Sequence, residues 1–340
     1  MQLHLSKFTA VLLAGLILAG CGSAPIKLTG NEPLTVKDFV EIDDDYKLAG
    51  VKRVAIPNFF VQFVRDETIE VKASYGMVAR GSESYTVQTR VDDATLQNVA
   101  DKLYADFVGE LKAVGIEVMP ISEMDENKDF QTIRKEGRTS PFVETAISGG
   151  MKGSKNEKLN GVSVLVSAQG LPINVIPAID KIWLTPSAKD GFKMSLNMAS
   201  GTLPRTLKVP LLNVRMTVSM IAAQGTTSSS AYSSNWKFKA EPYPRFVEQG
   251  TLINLVVDGD DNKFSLSKPI VIKDIGVTGS EGKGTGARGS GLFGLLERGV
   301  RGAENMEADA YFDVDAAQFT ARTTARGKEV SHLLVQAMTK

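Results

Sequence analysis

The sequence predicts an α+β protein: an N-terminal mixed α/β layer with an inserted β-hairpin, then an antiparallel β-rich half, then a C-terminal helix. Three observations predict it. Leu96, Val99, Ala100, Leu103, Phe107, Leu111 and Val114 recur at helical spacing, on one face of a long helix. Ile69, Val71, Ala73, Tyr75, Met77 and Ala79 alternate with other residues, as do Leu212, Val214, Met216, Val218 and Met220. That period is the period of strands with one apolar face. Connections between the later strands are too short for helical crossovers, so those strands are expected to pair antiparallel.

Each element follows from local residues. Lys52 to Val64 is β-branched and aromatic, with Pro57 inside it, and reads as a strand carrying an edge or a bulge. Residues 68–91 read as the hairpin, turning at Arg80-Gly81-Ser82. Asp92 or Asp93 caps the long helix and Gly115 stops it. Ile116 to Met119 is a short strand closed by Pro120, Glu123 to Glu136 a weaker helix, and Gly161 to Ser167 a buried strand. Strands are then expected at Phe192 to Met198, Leu212 to Met220, Leu252 to Val257 and Pro269 to Ile275, with Thr226 to Ser234 turning the chain toward Trp236 and Phe238. Asp315 to Met338 reads as a helix that Gly327 breaks in two.

These elements divide the chain into a signal peptide (1–20), a lipidated tether (21–48), an α/β domain (49–185), a β-rich region (186–275), a glycine-rich mobile segment (276–302) and a C-terminal helical segment (303–340). The signal reading rests on Lys7 followed by the apolar stretch Phe8 to Ala19, too short for a membrane helix of roughly 20 residues. Leu18-Ala19-Gly20-Cys21 then resembles the bacterial lipobox. The resemblance implies cleavage between Gly20 and Cys21 and lipidation of Cys21, a membrane anchor. Gly22, where an aspartate would favour inner-membrane retention, leans the expectation to the outer membrane with the body in the periplasm. Several acyl chains together hold firmly, since each buried CH₂ contributes about 0.8 kcal/mol.

Composition narrows the chemistry. Lys plus Arg and Asp plus Glu are 39 each, which gives no basic bias toward nucleic acid. Cys21 is the one cysteine, so lipidation leaves no thiol nucleophile and no disulfide. Of two histidines, His4 goes with the signal and His332 stands on the terminal amphipathic helix, where a surface role is expected. Gly289-Ser290-Gly291-Leu292-Phe293-Gly294 matches a dinucleotide fingerprint by letter, but no βαβ unit surrounds it. Gly282-Lys283-Gly284 lacks the P-loop hydroxyl, so no nucleotide is expected. Asp258 to Asn262 starts like a calcium loop, yet the glycine and the closing glutamate are replaced by Lys263 and Pro269, so a polar turn is expected. No catalytic constellation, metal set or cofactor motif stands out.

Two stretches remain as candidate partner or membrane contacts: Ile69, Val71, Tyr75 and Tyr85 on the hairpin, and Leu292, Phe293 and Leu296 among Arg288, Arg298 and Arg301. For Leu292 to Val300, a short helix capping the protein's own core is the plainer alternative. Finally, Arg53-Val54-Ala55-Ile56-Pro57-Asn58-Phe59 resembles the opening strand of the curli secretion-channel lipoprotein family and of TolB amino-terminal-like domains. Leu96 to Met119 is similar to their next unit, and Gly161 to Ser167 to their third strand. Hairpin 68–91 departs from that pattern. The resulting expectation is a non-catalytic envelope lipoprotein that assembles with itself or with envelope proteins, of export-channel type in its most specific form. The alternatives are an exported hydrolase of an envelope polymer or a periplasmic ligand-binding module.

Overall fold

A computed structural model describes residues 31–43, 48, 50–75, 79–148, 157–174, 194–230, 233–248, 250–257, 260–284, 295–300 and 306–339. The class is α+β, with a 14-stranded mixed sheet and a long C-terminal helix. In chain order the elements are α1 (Val36–Phe39), β1 (Val40–Ile42), β2 (Arg53–Tyr75), β3 (Ala79–Arg90), α2 (Asp93–Ala113), β4 (Glu117–Val118), α3 (Ile121–Met124), α4 (Lys128–Glu136), β5 (Phe142–Ser148) and β6 (Glu157–Ser167). There follow α5 (Met194–Leu207), β7 (Leu211–Ser230), β8 (Ser233–Phe246), β9 (Leu252–Val257), β10 (Asp260–Leu266), β11 (Ile270–Val271), β12 (Val277–Gly284), β13 (Leu295–Val300), β14 (Met306–Val314) and α6 (Ala316–Thr339).

The first half of β2 is the spine. It pairs with β7 on one side, in parallel, and with β6 on the other, antiparallel. Beyond β7 lie β9, β10 and β1, each antiparallel to its neighbour. Phe59, Val61 and Phe63 of β2 are fully buried against α2 and α6. Phe59 meets Tyr104 edge-on at 5.3 Å between ring centroids, and Phe63 meets Phe319 at 6.4 Å. Their strand neighbours Asn58 and Gln62 serve the opposite face: Asn58 exchanges hydrogen bonds with the Asn174 backbone, and Gln62 donates to Ser163 and accepts from Thr217. Pro57 sits at a register shift between Ala55 and Asn58, so the bulge reading holds, although β2 is interior and not an edge.

α2 forms as expected. Asp92 caps it by accepting from the Thr95 amide, six predicted face residues are buried, and Gly115 closes it at φ +83°. The seventh, Val114, is exposed at the cap.

Several expectations are corrected. Met194 to Met198 is helix, not strand: Met194 and Met198 are also four apart, so one short pattern fits both periods, and methionine, leucine and alanine favour the helix. Glu123 to Glu136 is two helices, because the Asn127 side chain accepts from the Asp129 and Phe130 amides and starts α4 anew. The hairpin does not turn at Arg80-Gly81-Ser82: Tyr75 pairs with Ala79, and Gly81 lies within β3 opposite Ala73. Thr226 to Ser234 is mostly strand rather than turn, in keeping with the strand preference of threonine. Only Ile270 and Val271 of Pro269 to Ile275 form strand.

The glycine-rich 276–302 contributes β12 and β13 despite its composition, because neighbouring strands supply the ladder. Leu295 to Val300 is therefore strand, not helix. The C-terminal segment opens with β14, and Gly327 does not break α6. Among the described strands of the second half the pairings are antiparallel, as expected, and the parallel pairs are those that join it to the first half, β7 to β2 and β14 to β3. Strands from residues 49–185 and 186–275 thus share one sheet. Within 21–48 the chain has joined the body by Val36, with Phe39 and Val40 buried and β1 paired to β10.

Candidate functional site

Ile69, Val71, Tyr75 and Tyr85 lie just past a fork in the sheet. β2 keeps β7 as its neighbour through Val64 opposite Ser219, then exchanges it for β3 from Asp66 opposite Gln88. The fork coincides with a register shift between Val64 and Asp66 against β6. β7 makes the matching change, leaving β9 after Arg215 and taking β8 from Val218. Two hairpins therefore run on past the fork. In the first, Asp66–Tyr75 pairs with Ala79–Gln88, ten residues a strand, and β14 and β12 extend it sideways. In the second, Ile221–Ser230 pairs with Ser233–Pro242, again ten residues a strand, and β13 extends it.

The pleat gives both hairpins two unlike faces. By register, Ile69, Val71, Ala73 and Tyr75 share a face with Ala79, Gly81 and Tyr85, interrupted by Glu83 opposite Val71. Thr68, Glu70, Lys72 and Ser74 share the other with Arg80, Ser82, Ser84 and Thr86. On the second hairpin Ala223, Gly225 and Thr227 lie level with Ala240, Phe238 and Trp236, while Gln224 and Thr226 lie level with Lys239 and Lys237. β13 continues the pattern, with Leu296 opposite Phe238, though Arg298 stands opposite Trp236.

Ile69, Val71, Tyr75 and Tyr85 are thus brought onto one face, with Ile69 directly opposite Tyr85. Leu296 belongs to the other hairpin unit and shares no ladder with them. Gly20, Cys21, Leu292 and Phe293 lie outside the described residues, as does the glycine fingerprint 289–294.

Sequence reasoning missed the carboxylates at the fork. Asp66 and Glu67 are 9% and 2% exposed. Burial pushes the Asp66 carboxyl up, and the neighbouring Arg65 guanidinium, 3.6 Å away, partly opposes this. Glu67 accepts from the Ser219 hydroxyl at 2.8 Å, which ties the two hairpins at their root. The second hairpin itself was half-legible, as Trp236 and Phe238 alternate in a strand pattern, but the serine-rich approach hid its length.

Elsewhere the chemistry is sparse. His332 is exposed, its Nδ1 2.8 Å from Glu110 and its Nε2 2.6 Å from the Gln336 amide nitrogen. The amide donates to Nε2 and Nδ1–H donates to Glu110, so both ring nitrogens are engaged and neither reaches a hydroxyl. Among the described residues no group of three or more His, Cys, Asp or Glu side chains is placed to hold a metal ion. No described helix is long and apolar enough to cross a membrane. No protein-family model, curated protein or solved structure matches the chain.

Proposed function

We propose that this chain is a lipoprotein of the outer membrane, cleaved after Gly20 and anchored through Cys21, that acts without catalysis as a self-assembling, export-channel-like component of the cell envelope. One observation carries the reading: two hairpins leave the fork with ten-residue strands and one predominantly apolar face each. Ten residues rise about 33 Å, and strands of about 9–11 residues cross a bilayer when tilted. Alternation of apolar and polar residues, one face to lipid and one to a lumen, is the pattern of strands that line a pore. Among the described strands no ladder joins the two units beyond the fork, so closure calls for further copies around a ring.

The test is reconstitution. Full-length protein, lipidated in a bacterial host and extracted in detergent, is imaged by negative stain and then placed in dye-loaded vesicles. Rings and dye efflux are the expected results. Compact single particles that release no dye would overturn the channel reading.

A further inference from the structure

We propose that the side of the sheet carrying α2 and α6 faces the axis of the assembled ring, with Arg90, Tyr311 and Asp313 at the mouth of the pore. The assignment rests on the channel reading above and deepens it, by naming the surface that a passing solute meets.

The two sides of the sheet exchange character at the fork. Below it, Phe59, Val61 and Phe63 of β2 lie level with Val214, Met216 and Val218 of β7, on the apolar side that α2 and α6 cover. The other side carries the hydrogen-bonded pair Gln62 and Thr217, with Ser219 next along β7. Which side each hairpin continues follows from the ladders, since paired residues share a side and successive residues alternate. In β2, Arg65 is the extra residue, because Val64 stands opposite Ser163 and Asp66 opposite Val162. Phe63 is opposite Val164, so the unbroken alternation of β6 puts Asp66, Thr68 and Glu70 on the side of Phe63. Glu67 then belongs to the opposite side, and the hydrogen bond it accepts from Ser219 agrees. In β7 the alternation is unbroken: between Ser219 opposite Arg245 and Ile221 opposite Pro242, the extra residue is in β8. Gln224 and Thr226 therefore continue the side of Val218, and Ala223 and Gly225 the side of Ser219.

Both strands invert together. The side that is apolar under the helices becomes the polar one past the fork, and the polar side becomes the predominantly apolar one. Apolar residues collect wherever water is excluded. Below the fork the helix layer excludes it; past the fork, in the channel reading, lipid does so on the opposite side. The polar side of the hairpins then borders the lumen, and it is continuous with the side that α2 and α6 cover. The outer surfaces of these two helices therefore line the approach to the pore.

The mouth is set by the same count. Gln88 is opposite Asp66 in one ladder and opposite Tyr311 in the next, and Arg90 is opposite Asp313. All lie on the α2–α6 side, where β3 and β14 end at the fork. The Arg90 guanidinium sits 4.3 Å from the centre of the Tyr311 ring and 3.7 Å from the Asp313 carboxylate. Both charged side chains stay nearly half exposed, at 48% and 44%, so a solute at the fork meets them. Farther from the membrane, Arg322 is exposed on α6. The turn at Gly250 marks the other side of the sheet. Its carbonyl accepts from Arg215 Nε and from the Thr217 hydroxyl, and Glu248 beside it is partly exposed.

The test uses the full-length lipidated protein, whose one cysteine is acylated in this reading. Arg322→Cys and Glu248→Cys are each coupled to a maleimide gold cluster in detergent, and the rings are imaged by electron microscopy. Gold at Arg322→Cys should lie nearer the ring centre than gold at Glu248→Cys, by at least the diameter of a helix, about 10–12 Å. In planar bilayers, a cationic methanethiosulfonate reacting with Asp313→Cys should lower the single-channel current severalfold and leave the wild-type current unchanged. Gold at Arg322→Cys on the ring's outer margin, or level with Glu248→Cys, overturns the lumen assignment and leaves the channel reading standing. Complete labelling of Asp313→Cys with unchanged current overturns the mouth. Protein that forms neither rings nor currents defeats the channel reading and the lumen assignment with it.

Discussion

Gly327 of α6 lies against Leu103 of α2 so closely that a Cβ at position 327 would fall 2.0 Å from Leu103 Cδ2 and 3.1 Å from Phe246 Cζ. The glycine that suggests a helix break is instead the point where two helices meet over the sheet. Its missing side chain is what lets Leu103 and Phe246, both fully buried, pack beneath α6.

Gly327→Ala is therefore expected to destabilise the fold even though alanine is the better helix former. Overpacking a filled core costs about 1–3 kcal/mol, more than the ~1 kcal/mol of helix propensity gained. Denaturant unfolding of Gly327→Ala, Leu103→Ala and the double variant checks this. The double variant should be more stable than the sum of the single changes by at least about 0.5 kcal/mol. Simple additivity would contradict the contact.

Asp66 sets a pH dependence at the fork. Its folded carboxyl titrates above the ordinary range because it is buried, so folding takes up a proton between the two values. Stability from this group is greatest below the ordinary carboxylate range and falls as pH rises through the folded value. Asp66→Asn removes that slope. Midpoints of denaturation measured across acid to neutral pH should show the variant gaining on the wild type as pH rises, and a constant difference would count against the burial.

Asp92 behaves in the opposite sense. Hydrogen bonds from the Thr95 hydroxyl and amide, at 2.7 and 2.8 Å, hold its carboxyl below the usual range. Its contribution is present above the ordinary carboxylate range and is lost as pH falls through the lowered value. Asp92→Ala should cost about 0.5–2 kcal/mol at neutral pH, and Asp92→Ser should restore most of it. Thermal unfolding of the three proteins separates these outcomes.

How far the chain was readable depended on whether a pattern was local. Leu96 to Leu111 repeats over several turns with a cap at each end, and α2 appears where the residues put it. Leu252 to Val257 likewise matches β9 end to end. Gly276 to Gly302 was not readable, because the ladder for β12 comes from β14 and that for β13 from β8. The fork was illegible for the same reason: nothing in Val64 to Asp66 says that one neighbour departs and another arrives. Of the candidate contacts, the shared face of Ile69, Val71, Tyr75 and Tyr85 followed from period two alone. The burial of Asp66 and Glu67 needed β3, β6 and β7 in place around them.

If the hairpin faces have the assigned roles, charge is tolerated on one and not on the other. Phe238→Lys puts an ammonium on the apolar face, where a lysine at the bilayer midplane costs about 2–4 kcal/mol. Gln224→Lys puts the same charge on the polar face. Flotation of vesicles after reconstitution should show a marked loss of inserted protein for the first and near wild-type recovery for the second. Equal recovery would speak against the assignment.

Single cysteines placed in turn at Thr68 to Tyr75 of the lipidated protein, with native Cys21 acylated, test membrane insertion most directly. Reaction with a membrane-impermeant maleimide in sealed vesicles should alternate: slow at Ile69, Val71, Ala73 and Tyr75, fast at Thr68, Glu70, Lys72 and Ser74. Fast labelling at every position would contradict a hairpin that crosses the bilayer with one face to lipid.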